Sequence, residues 1–379
     1  MTSNRRVANS KGFQIQLESA SGSLHSLTDA QKCASSPKRS VDLDQTVDGA
    51  GNRTPSLVGV VVIGRNEGAR LRRCLESIRG QAQPIVYVDS GSNDGSVDLA
   101  GAVASAVVEL DLRIPFTAAR ARNEGYRKLL ELRPDTEYIF FVDGDCEVVP
   151  EWLQKAVAFL TDHRDMAVVW GLRRERYPEK SIYNTLIDME WGDYPLGETK
   201  FCGGDALIRV DALVEVSGYR PELICGEEPE MCVRLRQAGW RIYHLNEPMT
   251  LHDAAMYRFG QWWKRSLRGG YGFAQAAALH GAPPERHGVL ESRRAWIWGF
   301  CIPLLTLISS VMIGAWALLL LLVYPLQMIR LALHGRRSAP QNRRRAAALV
   351  LSKFPEVLGQ MKYLINRFRR VQSGLIEYK

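Results

Sequence analysis

The chain has 379 residues, 46% hydrophobic and 24% charged, which allows one sizeable core with appendages and excludes a fibrous or wholly disordered protein. The net charge of +8 is unevenly placed: residues 286–379 carry 15 Lys or Arg against Glu291, Glu356 and Glu377, so the rest of the chain is net acidic. A basic excess confined to the C-terminal quarter argues against nucleic acid as a partner. Seven cysteines with no C-x-x-C pair argue against a disulfide framework or zinc ribbon and fit reduced thiols in a cytosol-facing protein.

Residues 1–56 are rich in Ser, Thr, Asn and Gly, without sustained period or a signal-peptide run, and are expected to form a disordered tail. From Leu57 the pattern changes. Val58 to Ile63 is a β-branched run expected as a buried parallel strand, followed by a helix with Leu71, Cys74, Leu75 and Ile78 on one face and Gly80 as its stop. Ile85 to Val88 reads as a second strand ending at Asp89, Ser92 to Ala104 as a helix, and Ala106 to Leu110 as a short strand. A helix opens near Thr117, and Tyr138 to Val142 is the next strand. This alternation predicts an α/β domain over residues 57–253 with a mostly parallel sheet and ligands at the strands' carboxyl ends. The polar groups there are Arg65, Asn66 and Glu67, then Asp89 to Ser96, then Asp143 to Glu147.

Asp143 and Asp145, spaced i and i+2 around Gly144, can converge on one hard cation where the strand breaks, and such a cation keeps positions open for diphosphate oxygens. The same three residues also read as an ordinary turn with two solvated acids. Arg120 and Arg122 suit a phosphate or a solvated helix face. Ser92, Asn93 and Asp94 suit a helix cap. Glu227 and Glu228 precede Pro229 and a helix running to Gly239, so both sit at a helix N-terminus, where capping alone explains an acid and a general base is the functional alternative. His252, after the expected strand Pro248 to Leu251, is either a third ligand beside the aspartates or a hydrogen-bonded structural residue. Gly203, Gly204 and Asp205 read as a loop able to receive an acceptor. Trp262 and Trp263, beside Lys264 and Arg265, suit a membrane interface, an acceptor-stacking surface or simple packing.

Residues 254–294 are expected to form acceptor-side and interface helices. Ala295 to Ile329 is 35 residues without a charge, the clearest membrane signal in the chain. As one helix it would be ~52 Å long, against a hydrocarbon core of about 30 Å, so a re-entrant or short hairpin breaking near Gly314 and one long tilted helix both stay open. Arginines on both flanks place both ends on the cytoplasmic side. Residues 330–379 read as a basic amphipathic tail lying on anionic membrane lipids.

The ordered set V-V-V-I-G-R-N-E (60–67), C-L-E-S-I-R-G-Q (74–81), V-Y-V-D-S-G-S-N-D-G-S (86–96), A-R-N-E-G (121–125), F-F-V-D-G-D (140–145), C-G-G-D-A-L-I-R (202–209) and G-E-E-P-E-M-C-V-R-L (226–235) resembles the family 2 glycosyltransferases from about Val58 to His252. The resemblance implies a GT-A type nucleotide-diphospho-sugar transferase fold, a divalent metal (Mn²⁺ or Mg²⁺) and transfer with inversion. It implies a nucleotide-base contact for Asp89, a ribose or metal contact for Asp143, and the metal ligand at Asp145. Asn66, Glu67 and Arg122 join the donor side. Glu227 or Glu228 becomes the base, at a place where the family usually has Glu-Asp. The implied acceptor is a lipid-linked saccharide or polysaccharide precursor at the cytoplasmic membrane, with the catalytic domain facing the cytosol. A nucleotidyltransferase would need a Gly-rich basic phosphate loop after the first strand, which 64–67 lacks; a noncatalytic scaffold with a retained sugar-nucleotide pocket is the remaining rival.

Overall fold

The computed structural model describes residues 58–371, 374, 376 and 377; the expected tail over 1–56 lies outside them. Strand β1 (Val58–Gly64) is the valine run, buried along almost its whole length because both sheet faces are covered. Helix α1 (Ala69–Ile78) buries Leu71, Cys74, Leu75 and Ile78, the face expected from their spacing. After β2 (Ile85–Asp89) the expected long helix is cut to α2 (Ser96–Gly101). Its start is delayed because Ser92 and Asn93 serve a loop rather than a cap: Ser92 Oγ accepts from Asn66 N and donates to Asp89, and Asn93 N donates to Asn66 Oδ1. Of the three expected capping residues only Asp94 works locally, accepting from Ser96 N and Oγ. β3 (Ala106–Glu109) and α3 (Ala118–Leu132) follow, and Thr117 Oγ1 caps α3 by accepting from Arg120 N.

Helix α3 lies on β1 at contact distance because Gly125 has no side chain. A Cβ there would be 2.3 Å from Val61 Cγ1. Overpacking of that kind costs about 1–3 kcal/mol, so Gly125→Ala is expected to lower the unfolding midpoint of the purified chain, as read by thermal or denaturant unfolding.

The sheet continues with β4 (Tyr138–Asp143) and β5 (Cys146–Val148), then α4 (Trp152–Asp162), β6 (Met166–Glu175), α5 (Ile182–Trp191), β7 (Gly197–Thr199), β8 (Ala206–Arg209), α6 (Val210–Glu215), α7 (Glu227–Gln237) and β9 (Arg241–His252). Its order is β3-β2-β1-β4-β8-β6-β9-β5, with β7 also paired to β9. The four strands β3, β2, β1 and β4 are parallel, as expected. Beyond them the sheet is mixed, since β8 runs antiparallel to both β4 and β6, while β6 and β9 are parallel. This topology has a functional consequence. The carboxyl ends of β1, β2 and β4 lie level, with Gly64 opposite Asp89 and Ile63 opposite Asp143. Reversal of β8 brings its leading residues to the same edge, with Ala206 opposite Phe141, and reversal at β6 returns the ends of β6 and β9 there too.

C-terminal to the sheet, α8 (Phe259–His280) leads to α9 (Val289–Trp296), a π-helical turn (Ile297–Cys301), α10 (Ile302–Ile313), a 3₁₀ segment (Gly314–Leu322) and α11 (Val323–Leu333). The last helices are α12 (Ala339–Leu351) and α13 (Lys353–Arg369). The tail expected to lie on lipid is instead partly packed on protein. A Cβ at Gly359 of α13 would be 2.0 Å from the Leu267 carbonyl of α8, so these two helices meet backbone to backbone. Val357 and Gln360 of α13 are buried.

Candidate active site

Arg122 is the organising residue. It projects from α3, is 2% exposed, and carries its charge inside the protein because three acids surround it. Nη2 lies 2.9 Å from Asp143 Oδ1, and Nη1 lies 2.8 Å from Glu227 Oε1 and 3.0 Å from Glu228 Oε1. The guanidinium also sits 5.6 Å from the Tyr219 ring centroid. The solvated alternative for Arg122 is therefore overturned. Arg120 turns away and ties the Asp111 and Ile114 carbonyls.

Both glutamates occupy the first turn of α7, entered through Gly226 in the left-handed conformation at φ 76°. Pro229 is the third helical residue rather than the first, and the helix ends at Gln237, two residues before Gly239. The structure separates the two acids. Glu227 is buried and hydrogen-bonded to Arg122. Glu228 is pushed up to about 7 by burial and by the neighbouring Glu227 charge, with Arg122 acting in the opposite direction. A carboxyl group near 7 can take up a proton at neutral pH.

Gly204 joins these groups. A Cβ added there would be 3.0 Å from Asp143 Oδ2, 3.1 Å from Arg122 Nη2 and 3.3 Å from Glu228 Oε1, so one point in space touches all three. Gly203 backs onto Trp170 and Trp191 at ordinary contact distance. Asp205 does not line the site as an acceptor-receiving acid. It is fully buried, accepting from Thr250 Oγ1 at 2.7 Å and from Asp143 N at 3.1 Å, and it braces β8 against β4 and β9.

Asp145 is buried, and its Oδ2 lies 3.5 Å from His252 Nε2. The other ring nitrogen of His252, Nδ1, is 2.8 Å from Glu175 Oε2, itself a buried carboxylate. Burial, reinforced by the nearby Arg173 charge, lowers the His252 pKa, so the ring is neutral near pH 7. The Glu175 contact assigns its single proton to Nδ1. Nε2 thus presents a lone pair toward the Asp145 carboxylate. Two acceptors facing each other at that spacing form a donor set suited to a cation, with Glu175 holding the imidazole as carboxylates hold metal-ligating histidines.

A second cluster, Asp143, Cys146 and Asp205, also brings three ligand-type atoms within 4.8 Å of one another. It suits a cation less well. Arg173 already occupies that space, 3.0 Å from Cys146 Sγ, 3.4 Å from Asp143 Oδ2 and 3.6 Å from Asp205 Oδ2, and burial pushes the Cys146 thiol up, against thiolate formation.

Asp89 is held from all sides. Its Oδ1 accepts from Tyr87 Oη and Ser92 Oγ, and its Oδ2 from Gly91 N and Ser92 N. A carboxylate has about four lone-pair sites, so a base contact through Asp89 requires displacing one of these donors. Asn66, at φ 54°, bridges the β1 and β2 loops, and Glu67 pairs with Arg70 at 2.8 Å. Trp262 is buried against Ile187, Ala254 and Met256, and Trp263 packs partly buried beside them. Packing therefore overrides both the acceptor and the membrane-interface readings for Trp262.

Three residues of this site carried no clear sequence signal: Arg173, Glu175 and Trp191, whose ring lies under the Arg173 guanidinium at 4.5 Å and edge-on to His252 at 6.3 Å. Arg173 to Arg176 looks like a solvent-facing charge run. The usable clue was phase, because Arg173 and Glu175 share the inward face of β6 while Arg174 is exposed.

Known proteins bear on this arrangement. The chain matches the description "Glycosyl transferase family 2" over residues 59–214 and "Glycosyl transferase family group 2" over residues 138–334, the second spanning more than half its length. It is 24% identical over 238 residues to glycosyltransferase AglE of Haloferax volcanii, covering 60% of this chain and 76% of that one. It is 23% identical over 282 residues to the succinoglycan biosynthesis protein ExoA of Rhizobium meliloti, covering 70% and 83%. Among solved structures, the mannosyltransferase PcManGT of Pyrobaculum calidifontis, in complex with GDP-Man and Mn²⁺, shares the fold with a TM-score of 0.50 at 20% identity, over 83% of this chain and 90% of that one. Sequence motifs, sheet topology and family matches agree: the chain belongs to the family 2 glycosyltransferases, with a GT-A type catalytic domain.

Proposed function

We propose that this glycosyltransferase moves one sugar, with inversion, from a nucleotide-diphospho-sugar to a lipid-linked or polysaccharide-precursor acceptor at the cytoplasmic face of the membrane. The observation that carries the reading is the convergence on Gly204 of Asp143, Arg122 and Glu228, a half-buried base linked through one guanidinium to the acid that ends β4. In the proposed reaction Glu228 takes the proton of the acceptor hydroxyl while that oxygen forms its bond to the anomeric carbon. The bond from that carbon to the diphosphate oxygen breaks, and its electron pair leaves with the nucleoside diphosphate. Asp145 and His252 Nε2 would hold a Mn²⁺ or Mg²⁺ ion, which when bound offsets negative charge on the departing diphosphate. Glu175 keeps the His252 ring in the required tautomer. Arg122 holds Asp143 and both glutamates in one charged cluster, so that Glu228 stays within reach of an acceptor without being extruded to solvent.

Support for the acceptor class comes from the long apolar segment and its arginine flanks, and from relatives named for polysaccharide assembly, ExoA and the O-antigen chain rhamnosyltransferase RfbN of Salmonella typhimurium. The flanking arginines support a cytosolic catalytic domain. Purified chain incubated with a panel of nucleotide-sugars, divalent metal and a lipid extract is expected to release nucleoside diphosphate, not pyrophosphate, and to need the lipid. Pyrophosphate release would assign a nucleotidyltransferase instead, and lipid-independent turnover would remove the acceptor class.

A further inference from the structure

Helical structure runs through the 45 residues Val289–Leu333, long and apolar enough by composition to cross a bilayer once. The structure bends it back. Tyr324 Oη donates to the Trp298 carbonyl at 2.5 Å, and the two rings are 6.0 Å apart. On a straight helix these residues, 26 positions apart, would be separated by ~39 Å at 1.5 Å per residue. The reversal is at Gly314, whose φ of +72° and ψ of −159° end α10, and no loop residue separates the two arms. The arms match in length. Twelve α-helical residues of Ile302–Ile313 rise ~18 Å, and nine 3₁₀ residues of Gly314–Leu322 return ~18 Å.

This hairpin is unpartnered by protein at its tip, where Val311 is 81% exposed and Met312 and Trp316 are each 77% exposed. Its base is ringed with charge. Arg293 and Arg294 precede it, Arg330 and Arg336 follow it, and all four are exposed. The base is also fastened to the catalytic domain: Arg337 and Arg345 pair with Asp193 at 2.7 and 2.6 Å, and Arg337 Nη2 donates to the Met189 carbonyl of α5. Helix α5 ends in Trp191, the ring beside Arg173 and His252.

We infer that Ile302–Leu322 is a re-entrant hairpin that enters one leaflet, from the side occupied by the catalytic domain, and ends inside the bilayer. The occupant of its apolar surface is phospholipid, with anionic headgroups around the arginine ring. Below Ile302 the first arm is packed on α13, where a Cβ at Gly299 would be 2.2 Å from the Lys353 carbonyl, so the part free of protein reaches only ~18 Å, short of a hydrocarbon core of about 30 Å. A turn without loop residues keeps the number of peptide groups exposed to hydrocarbon small, which the bilayer interior requires. The inference rests on the membrane association proposed above but not on the transfer reaction, so topology and activity fail separately.

The test adds one cysteine at a time to the full chain carrying Cys33→Ser, Cys225→Ser and Cys301→Ser, which leaves only the buried thiols of Cys74, Cys146, Cys202 and Cys232: Ala282→Cys before the hairpin, Ala315→Cys at its tip and Ser338→Cys after it. Sealed vesicles of both orientations are treated with a bulky impermeant maleimide. Ala282→Cys and Ser338→Cys are expected to label from one and the same side, and Ala315→Cys from neither side until detergent is added. Labelling of Ala315→Cys from the far side shows a crossing hairpin, labelling of the two flanks from opposite sides shows a single span, and labelling of Ala315→Cys from the near side shows a surface outside the bilayer. Each overturns the inference. Should the tip variant fold poorly, quenching of tryptophan fluorescence by lipids brominated at mid-chain is expected to fall on Trp316→Phe substitution, and unchanged quenching would contradict insertion.

Discussion

Glu228→Gln is expected to lower turnover by about 10²–10⁴-fold, the usual contribution of a positioned general base, whereas Glu227→Gln changes the pH dependence more than the maximal rate. The distinction follows from where the two carboxylates sit. Glu227 is committed to Arg122, and its charge is the second cause, after burial, of the Glu228 elevation to about 7. A base must be ionised to act, so the rate of the unsubstituted enzyme rises with pH through about 7 and levels above it. Glu228→Gln abolishes that limb. Glu227→Gln removes a repelling neighbour, lets Glu228 ionise at lower pH and moves the limb downward. Nucleoside diphosphate release at saturating donor, followed across pH for the three proteins, checks the assignment. Equal losses in both variants with an unmoved limb would show that neither acid is the base.

Arg122→Met is expected to cost stability as well as activity. The guanidinium is 2% exposed and lies within 3.0 Å of oxygens from Asp143, Glu227 and Glu228. Breaking a buried charge cluster by removing one partner costs about 3–5 kcal/mol, because the remaining charges stay buried without compensation. Arg122 is also the charge that lowers the Glu228 pKa, beside a weaker backbone hydrogen bond, so its loss drives that carboxyl further up and shifts the rising limb of the rate to more alkaline pH. Adding Glu227→Gln to Arg122→Met removes one of the stranded acids and should recover part of the stability, a non-additivity expected of residues in one network. Denaturant unfolding of the single and double variants measures it. Simple additivity would mean that the cluster is not energetically joined.

Much of this site is legible in the sequence, for identifiable reasons. The strands ending at Gly64, Asp89 and Asp143 announced themselves through β-branched runs, and the parallel-sheet rule then put their polar ends at one edge. Glu228 was found through its helix start, but choosing it over Glu227 needed burial and neighbours that spacing does not contain. Arg122 carried two equal readings because α3 has charges on several sides; only packing against Tyr219 and α7 decides that this one points inward. The acceptor readings of Asp205 and Trp262 give way to burial for the same reason, since a Gly-Gly-Asp loop and a Trp-Trp-Lys-Arg stretch look alike whether they face solvent or a neighbouring element. Arg173 and Glu175 are hidden because the strand before them, Met166 to Gly171, is buried on both faces and shows no alternation, so the phase that turns them inward appears only over the last residues of β6. In the apolar segment, Gly314 was visible as a break, but hairpin and long helix were separated only by the contact of Tyr324 with Trp298.

Dependence of transfer on a cation held beside Asp145 and His252 is read from donor-dependent nucleoside diphosphate release by the purified chain with lipid extract. It is measured before and after removal of divalent metal, and again for Asp145→Ala. Removing metal is expected to abolish release, Mn²⁺ or Mg²⁺ to restore it in the unsubstituted enzyme, and the same metal not to restore Asp145→Ala. Release that survives both metal removal and Asp145→Ala would contradict that dependence.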